Sequence, residues 1–145
     1  MKIFAGISIV LFALLATSTP AAAQAKKATA GAADSASVER GRYIVEGVAM
    51  CGRCHTPMNQ AGEAGHTNWL LGGPVTIEAT YAVPNWALVE PRIARTPPGT
   101  DAEFVRLLMT GISRTGSPPK PPMPSFRMTR ADAESVLAYL KSLKP

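Results

Sequence analysis

Cys51-Gly52-Arg53-Cys54-His55 constrains this chain more than any other stretch. Each of the two thiols can add across one vinyl group of a haem. The histidine that follows directly is then held beneath the porphyrin, where its imidazole can bind the iron, so the run reads as a covalent haem attachment site. A fold that accepts such a group must close around a large, flat, apolar object.

Other uses of C-x-x-C require more than this chain contains. A structural zinc site needs four ligands; beyond Cys51, Cys54 and His55 the only remaining histidine is His66, and no third cysteine exists. A thioredoxin-like redox pair wants a strand before the motif and a helix after it, whereas this one follows a helical pattern in a chain with little strand signal. A plain disulfide of an exported protein leaves the adjoining histidine unexplained.

The N-terminus has the order of a secretory signal peptide, expected over residues 1–23: Lys2, an apolar run from Ile3 to Ala16, then small residues through Ala21-Ala22-Ala23. The run falls short of the roughly 20 apolar residues a spanning helix needs, so no stable membrane span is expected after cleavage, and the expected location is the periplasm. An uncleaved anchor is the lesser alternative. Residues 24–36, alanine-rich and without a periodic apolar face, read as a flexible linker, leaving 37–145 as one folded domain. The formal charge of +5 at pH 7 becomes 5 − 1 = +4 once Lys2 leaves with the leader. Scattered basic residues without interleaved stacking aromatics exclude nucleic acid as a partner.

The apolar spacing from Ser37 to about Met50, with Val38, Tyr43, Ile44 and Val48, predicts a first helix that delivers the chain into Cys51. Thr56-Pro57 ends the turn bearing His55. Residues 58–99, rich in glycine and proline, predict loops with at most one short helix. Thr100-Asp101-Ala102-Glu103 is a capping box; it opens a helix whose core face is Phe104, Leu107 and Leu108, and Gly111 suits the C′ position. Thr129 to Asp132 opens a last helix with Ala133, Val136, Leu137, Leu140 and Leu143 on its apolar face.

Between these two helices Ser117-Pro118-Pro119-Lys120-Pro121-Pro122-Met123-Pro124 is barred from helix, because successive prolines remove donors and force extended backbone. Such a strap can hold one side chain at a set depth. A Met123 thioether facing the histidine across the iron would complete six coordinate bonds, and His/Met ligation raises the potential. Met128 is the second candidate, before the last helix; His66 as a second histidine ligand is weaker, and a gap-filling core role is the bland alternative for any methionine.

With C-x-x-C-H and Pro-Pro-Met-Pro on the page, residues 35 to 144 resemble a small monohaem c-type cytochrome of the class I, exported bacterial kind. The resemblance implies an all-α, cytochrome c-like fold of three to five helices with long loops wrapped around one covalently bound haem c. It implies that Cys51 and Cys54 carry the thioethers, that His55 is the proximal iron ligand and that Met123 is the distal one. It also implies that the first and last helices cross closely, a role for which Gly41, Tyr43 and Tyr139 are suited. A proline carbonyl after the attachment site should accept from His55, and Pro74 is the candidate. Trp69, Trp86 and Tyr81 are candidate donors to a haem propionate, ordinary aromatic packing being the alternative for each.

Both axial positions filled by protein leave no vacant place for substrate, so the expected role is a periplasmic electron carrier and not an enzyme. It would pass one electron between a dehydrogenase or respiratory complex and an acceptor, or serve as the cytochrome subunit of an oxidoreductase. Its partners would be redox proteins with acidic docking surfaces, steered by a basic rim of Arg53, Arg114, Lys120 and Arg127. The alternative is a haem-based gas or redox sensor, or a peroxidase-like enzyme, with an open sixth site.

Overall fold

The computed structural model describes residues 34–59, 61–63 and 65–144. The leader expected over 1–23 and linker residues 24–33 lie outside the described residues, as does the side chain of His66. Residues 34–36, assigned to the linker on composition, are helical.

Four helices carry the fold. Helix α1 covers 34–48, its last turn, Ile44–Val48, being π-wound, with the Ala49 N–H donating to Ile44 O at 2.7 Å. On its exposed face Arg42 pairs with Glu39 and Glu46 at 2.6 and 3.1 Å, at the i,i+3 and i,i+4 spacings that support a helix. The buried face is Gly41, Ile44 and Val45; Tyr43 and Val48 are exposed. A π turn takes more residues per turn than an α turn, which carries Val48 off the face that strict helical spacing predicts. Met50, left-handed at φ 49°, then turns the chain into α2, Gly52–His55, which ends where Thr56 becomes extended, before Pro57.

The described residues between 57 and 99 form loops with one 3-10 turn, His66–Asn68, and a two-stranded antiparallel ladder of β1, Gly73–Pro74, and β2, Val89–Glu90. Leu70 anchors this region. Fully buried, it donates to Thr56 Oγ1 at 3.1 Å, and its carbonyl accepts from the N–H groups of Ile93 and Ala94.

Helix α3, Asp101–Thr110, opens with the full reciprocal capping box of Thr100 and Glu103 and closes on left-handed Gly111. It buries Phe104, Val105 and Leu108, while Leu107 is only half-buried. Helix α4, Arg130–Ser142, starts at Thr129, whose hydroxyl accepts from Asp132 N–H at 3.1 Å. It packs on α3 and on the π turn of α1.

The α1–α4 seam is close. A Cβ added at Gly41 would lie 1.9 Å from Ser135 O and 2.8 Å from Tyr139 Cβ, so only glycine permits this approach. Around it Arg40 pairs with Asp132 at 2.9 Å, and the Tyr139 hydroxyl donates to Glu46 at 2.6 Å. Tyr139 is therefore the aromatic of the crossing. Tyr43, 56% exposed, is not. Burial and the Glu46 carboxylate together push the Tyr139 phenol up to about 12. No helix among the described residues is long and apolar enough to cross a membrane.

Candidate functional site

The helices, β2 and the proline strap enclose a cleft of about 300 Å³, at the small end of the range for ligand sites, roughly 300–1,000 Å³. Its floor is shared with the core: Ile93, Phe104, Leu108, Val136 and Leu140 belong to both. Cys51, Cys54 and His55 line it from α2 and the turn before it, and Met123 and Met128 from the strap and the segment that follows. These five candidate residues thus meet at one apolar cavity.

His55 is 7% exposed. Its Nδ1 lies 2.8 Å from Pro91 O. A carbonyl can only accept, so Nδ1 carries the hydrogen and Nε2 keeps its lone pair, the tautomer a metal ligand needs. Burial lowers the imidazole pKa, favouring the neutral ring, while the Pro91 carbonyl opposes that less strongly. The accepting proline is Pro91, not Pro74: Pro74 lies exposed in β1, and the β1–β2 ladder brings Glu90, and with it Pro91, back beneath α2.

Cys51 and Cys54 are free thiols. Burial pushes Cys51 up to about 11 and raises Cys54 as well, with the nearby Glu90 carboxylate adding to the Cys54 shift. Both are protonated at neutral pH. Among the described residues no group of three His, Cys, Asp or Glu side chains is placed to hold a metal ion. The indole of Trp69 lies over the glycine between the thiols: a Cβ at Gly52 would stand 2.1 Å from its ring.

A haem fits this donor set. Two thiols, a buried imidazole with one nitrogen satisfied and the other free, a thioether on the strap and apolar walls are what covalent attachment and axial ligation require. The strap is held from two sides. Pro121 O accepts from Ala87 N–H at 2.7 Å, and Met128 N–H donates to Leu108 O at 3.0 Å. Met128 also packs against the core cluster, as Met123 does not, so Met123 is the freer of the two for ligation.

The propionate candidates lie elsewhere. None of Trp69, Trp86 and Tyr81 lines the cleft, the Trp86 indole donates to Ile77 O at 3.2 Å, and Tyr81 is 76% exposed. Of the four cations expected at a basic rim, only Lys120 lines the cleft; Arg127 donates to the carbonyl of its neighbour Phe126. Pro91 and Glu90 escaped the sequence reading because neither lies near the motif in the chain and 13 prolines compete for the one carbonyl.

Glu90 is a buried carboxylate in the cleft wall, 8% exposed, and burial raises its pKa. Folding therefore favours its neutral form. The resulting cost is absent well below the ordinary glutamate value of about 4.5, grows as pH rises from there, and is complete above the elevated folded value. Glu90→Gln should accordingly stabilise the haem-loaded protein at pH 7 and change nothing at pH 4, measured as urea midpoints at the two pH values. Equal midpoints for both proteins at pH 7 would contradict this.

A family model described as cytochrome c matches residues 38–144. The chain is 51% identical over 47 residues to a diheme cytochrome c-type protein of Cereibacter sphaeroides, covering 32% of this chain and 16% of that one. It is 34% identical over 118 residues to the cytochrome c subunit of a quinone alcohol dehydrogenase of Gluconacetobacter polyoxogenes, covering 78% and 23%. It is 34% identical over 116 residues to a nicotinate dehydrogenase subunit of Pseudomonas putida, covering 76% and 9%. The chain thus spans less than a quarter of the length of these relatives. With the all-α fold and the match over 38–144, the chain belongs to the cytochrome c family as a class I c-type cytochrome, a haem-binding electron-transport protein.

Proposed function

We propose that the protein is a periplasmic electron carrier with a single haem c, attached through Cys51 and Cys54 and ligated by His55 and Met123. It works with a dehydrogenase or respiratory complex as its redox partner. The observation that carries this reading is His55, buried at the cleft with Nδ1–H donating to Pro91 O and the Nε2 lone pair left free. The one attachment motif among 145 residues supports a single haem. The leader-like first 23 residues support export, and the likeness to dehydrogenase cytochrome subunits supports the choice of partner.

The haem iron supplies a one-electron couple when bound. The protein's own part is to hold it: Pro91 fixes the imidazole plane, the strap sets the depth of Met123, and Ile93, Phe104 and Leu140 keep water from the cleft. Held by His55 and Met123, the group would exchange an electron without any substrate binding to it.

Met123→Ala tests the ligand set. The sulfur-to-iron charge-transfer absorption should vanish, the potential should fall, and carbon monoxide should bind the reduced variant quickly. An unaltered spectrum would transfer the role to Met128. Rapid carbon monoxide binding by the unmutated protein would defeat the closed six-coordinate site.

A further inference from the structure

The strap that carries Met123 has a second face. On its outer side lies another cavity, of about 580 Å³, between Pro84-Asn85 and the segment from Ser113 to Pro121. That volume falls in the range for ligand sites, roughly 300–1,000 Å³. Pro119 and Lys120 line both cavities, but neither thiol, nor His55, nor Met123 lines this one. The strap is therefore a partition, with the apolar cleft on one side and a separate, polar space on the other.

The polar groups of that space are unbalanced. Four of its carbonyls are already occupied: Ser113 O accepts from Gly116 N–H and Arg106, Ser117 O from Ser113 N–H, Lys120 O from Met123 N–H and Pro121 O from Ala87 N–H. The Ser113 and Thr115 hydroxyls bond to each other at 2.8 Å. By contrast the side chains of Asn85, Ser117 and Lys120 have no partner among the described residues. An ammonium only donates, and an amide and a hydroxyl each have hydrogens to give. No carboxylate of the described residues lines the cavity.

We infer that Asn85, Ser117 and Lys120 form a binding site for a small oxyanion, a phosphate or an organic acid. Surplus donors with one positive charge favour negative oxygen atoms, and hydrogen bonds to charged groups are the strong ones. A neutral polyol needs acceptors as well, which the occupied carbonyls do not supply, and a cation would meet Lys120 head on. The ligand joins the 84–85 turn to the strap, adding to the hydrogen bond that Ala87 N–H makes to Pro121 O. The site is a property of the folded chain and goes beyond the electron-carrier reading, which neither requires it nor falls with it.

The test titrates the full haem-loaded chain with inorganic phosphate and with succinate at a constant ionic strength of about 0.15 M, chloride making up the balance. Heats of binding give the affinity and amide chemical shifts give the place. Uptake should saturate with a dissociation constant of about 1 mM, with shifts centred on residues 84–85 and 113–121. Tighter binding of phosphate assigns a phosphate ligand, and tighter binding of succinate an organic acid. Ser117→Ala should weaken binding about tenfold, the loss of one charge-assisted hydrogen bond. Asn85 is left-handed, at φ 58°, and aspartate tolerates that backbone as asparagine does. Asn85→Asp should therefore fold and abolish binding, since a carboxylate replaces the donor. Arg130→Gln removes a cation on α4 that does not line the cavity, and should leave binding unchanged.

Three results would overturn the site. Binding that does not saturate, or that Arg130→Gln weakens as much as Ser117→Ala does, is general attraction to a positive surface. Parent-like affinity in Asn85→Asp would mean that the amide donates nothing to the ligand. A potential that Ser117→Ala shifts with no anion added would give the hydroxyl to the haem's own carboxylates and leave no place for an external ligand.

Discussion

Cys51→Ala combined with Cys54→Ala yields a chain that releases its haem into acidified organic solvent and unfolds at markedly lower denaturant. The reason lies in the shared floor of the cleft. Ile93, Phe104, Leu108, Val136 and Leu140 are core residues that also face the cavity, so a haem held there would complete the core. A domain of this size, with loops through most of 57–99, buries too little surface to spare the packing of these core residues. A ligand that binds only the folded state stabilises it by about 4 kcal/mol at a thousand times its dissociation constant. A covalent tether raises the effective concentration further. The expected loss is therefore about 4 kcal/mol or more, with retained haem read as a pyridine haemochrome and stability by circular dichroism in urea. A colourless double variant with an unchanged urea midpoint would show that the helices fold without the cofactor.

Gly41→Ala should cost about 3 kcal/mol, the upper part of the usual range for forcing extra atoms into a packed site. In an ordinary exposed helix position the same change gains up to about 1 kcal/mol. The sign reverses here because the new methyl would stand 1.9 Å from a backbone carbonyl, that of Ser135, which cannot move without shifting α4. Separating α1 from α4 also pulls Tyr139 from Glu46 and loosens the turn that delivers Cys51. Gly47→Ala is the control. Its Cβ would meet only the Tyr43 ring at 3.8 Å, ordinary contact, so that variant should match or slightly exceed the parent. If both alanine variants melt at the same denaturant concentration, the α1–α4 crossing is not as close as described.

Local chemistry made much of this molecule readable before any fold was known. The capping box at Thr100 and Glu103, the left-handed Gly111, the helix stop at Thr56-Pro57 and the amphipathic face of α4 all appear as the residues dictate, because each is settled by atoms within a few positions along the chain. The C-x-x-C-H run is local in the same sense, its two cysteines and histidine lying together at the cleft. Its spacing is itself the chemistry, and the proline strap confines Met123 by backbone sterics alone.

Long-range placement was a different matter. Which proline carbonyl meets His55 depends on the two-residue ladder that returns Pro91 across 36 positions, and nothing in the local sequence distinguishes it from Pro74. The face that α1 buries depends on a π turn close to its end, which moves Val48 outward, and on the α4 backbone, which admits only Gly41. The acid in the cleft wall likewise exists only once β2 is laid beside α2. Bonded geometry and nearest-neighbour hydrogen bonds are encoded in order along the chain. Contacts that close a cavity are decided by how separate segments share one volume, which no stretch of residues specifies alone.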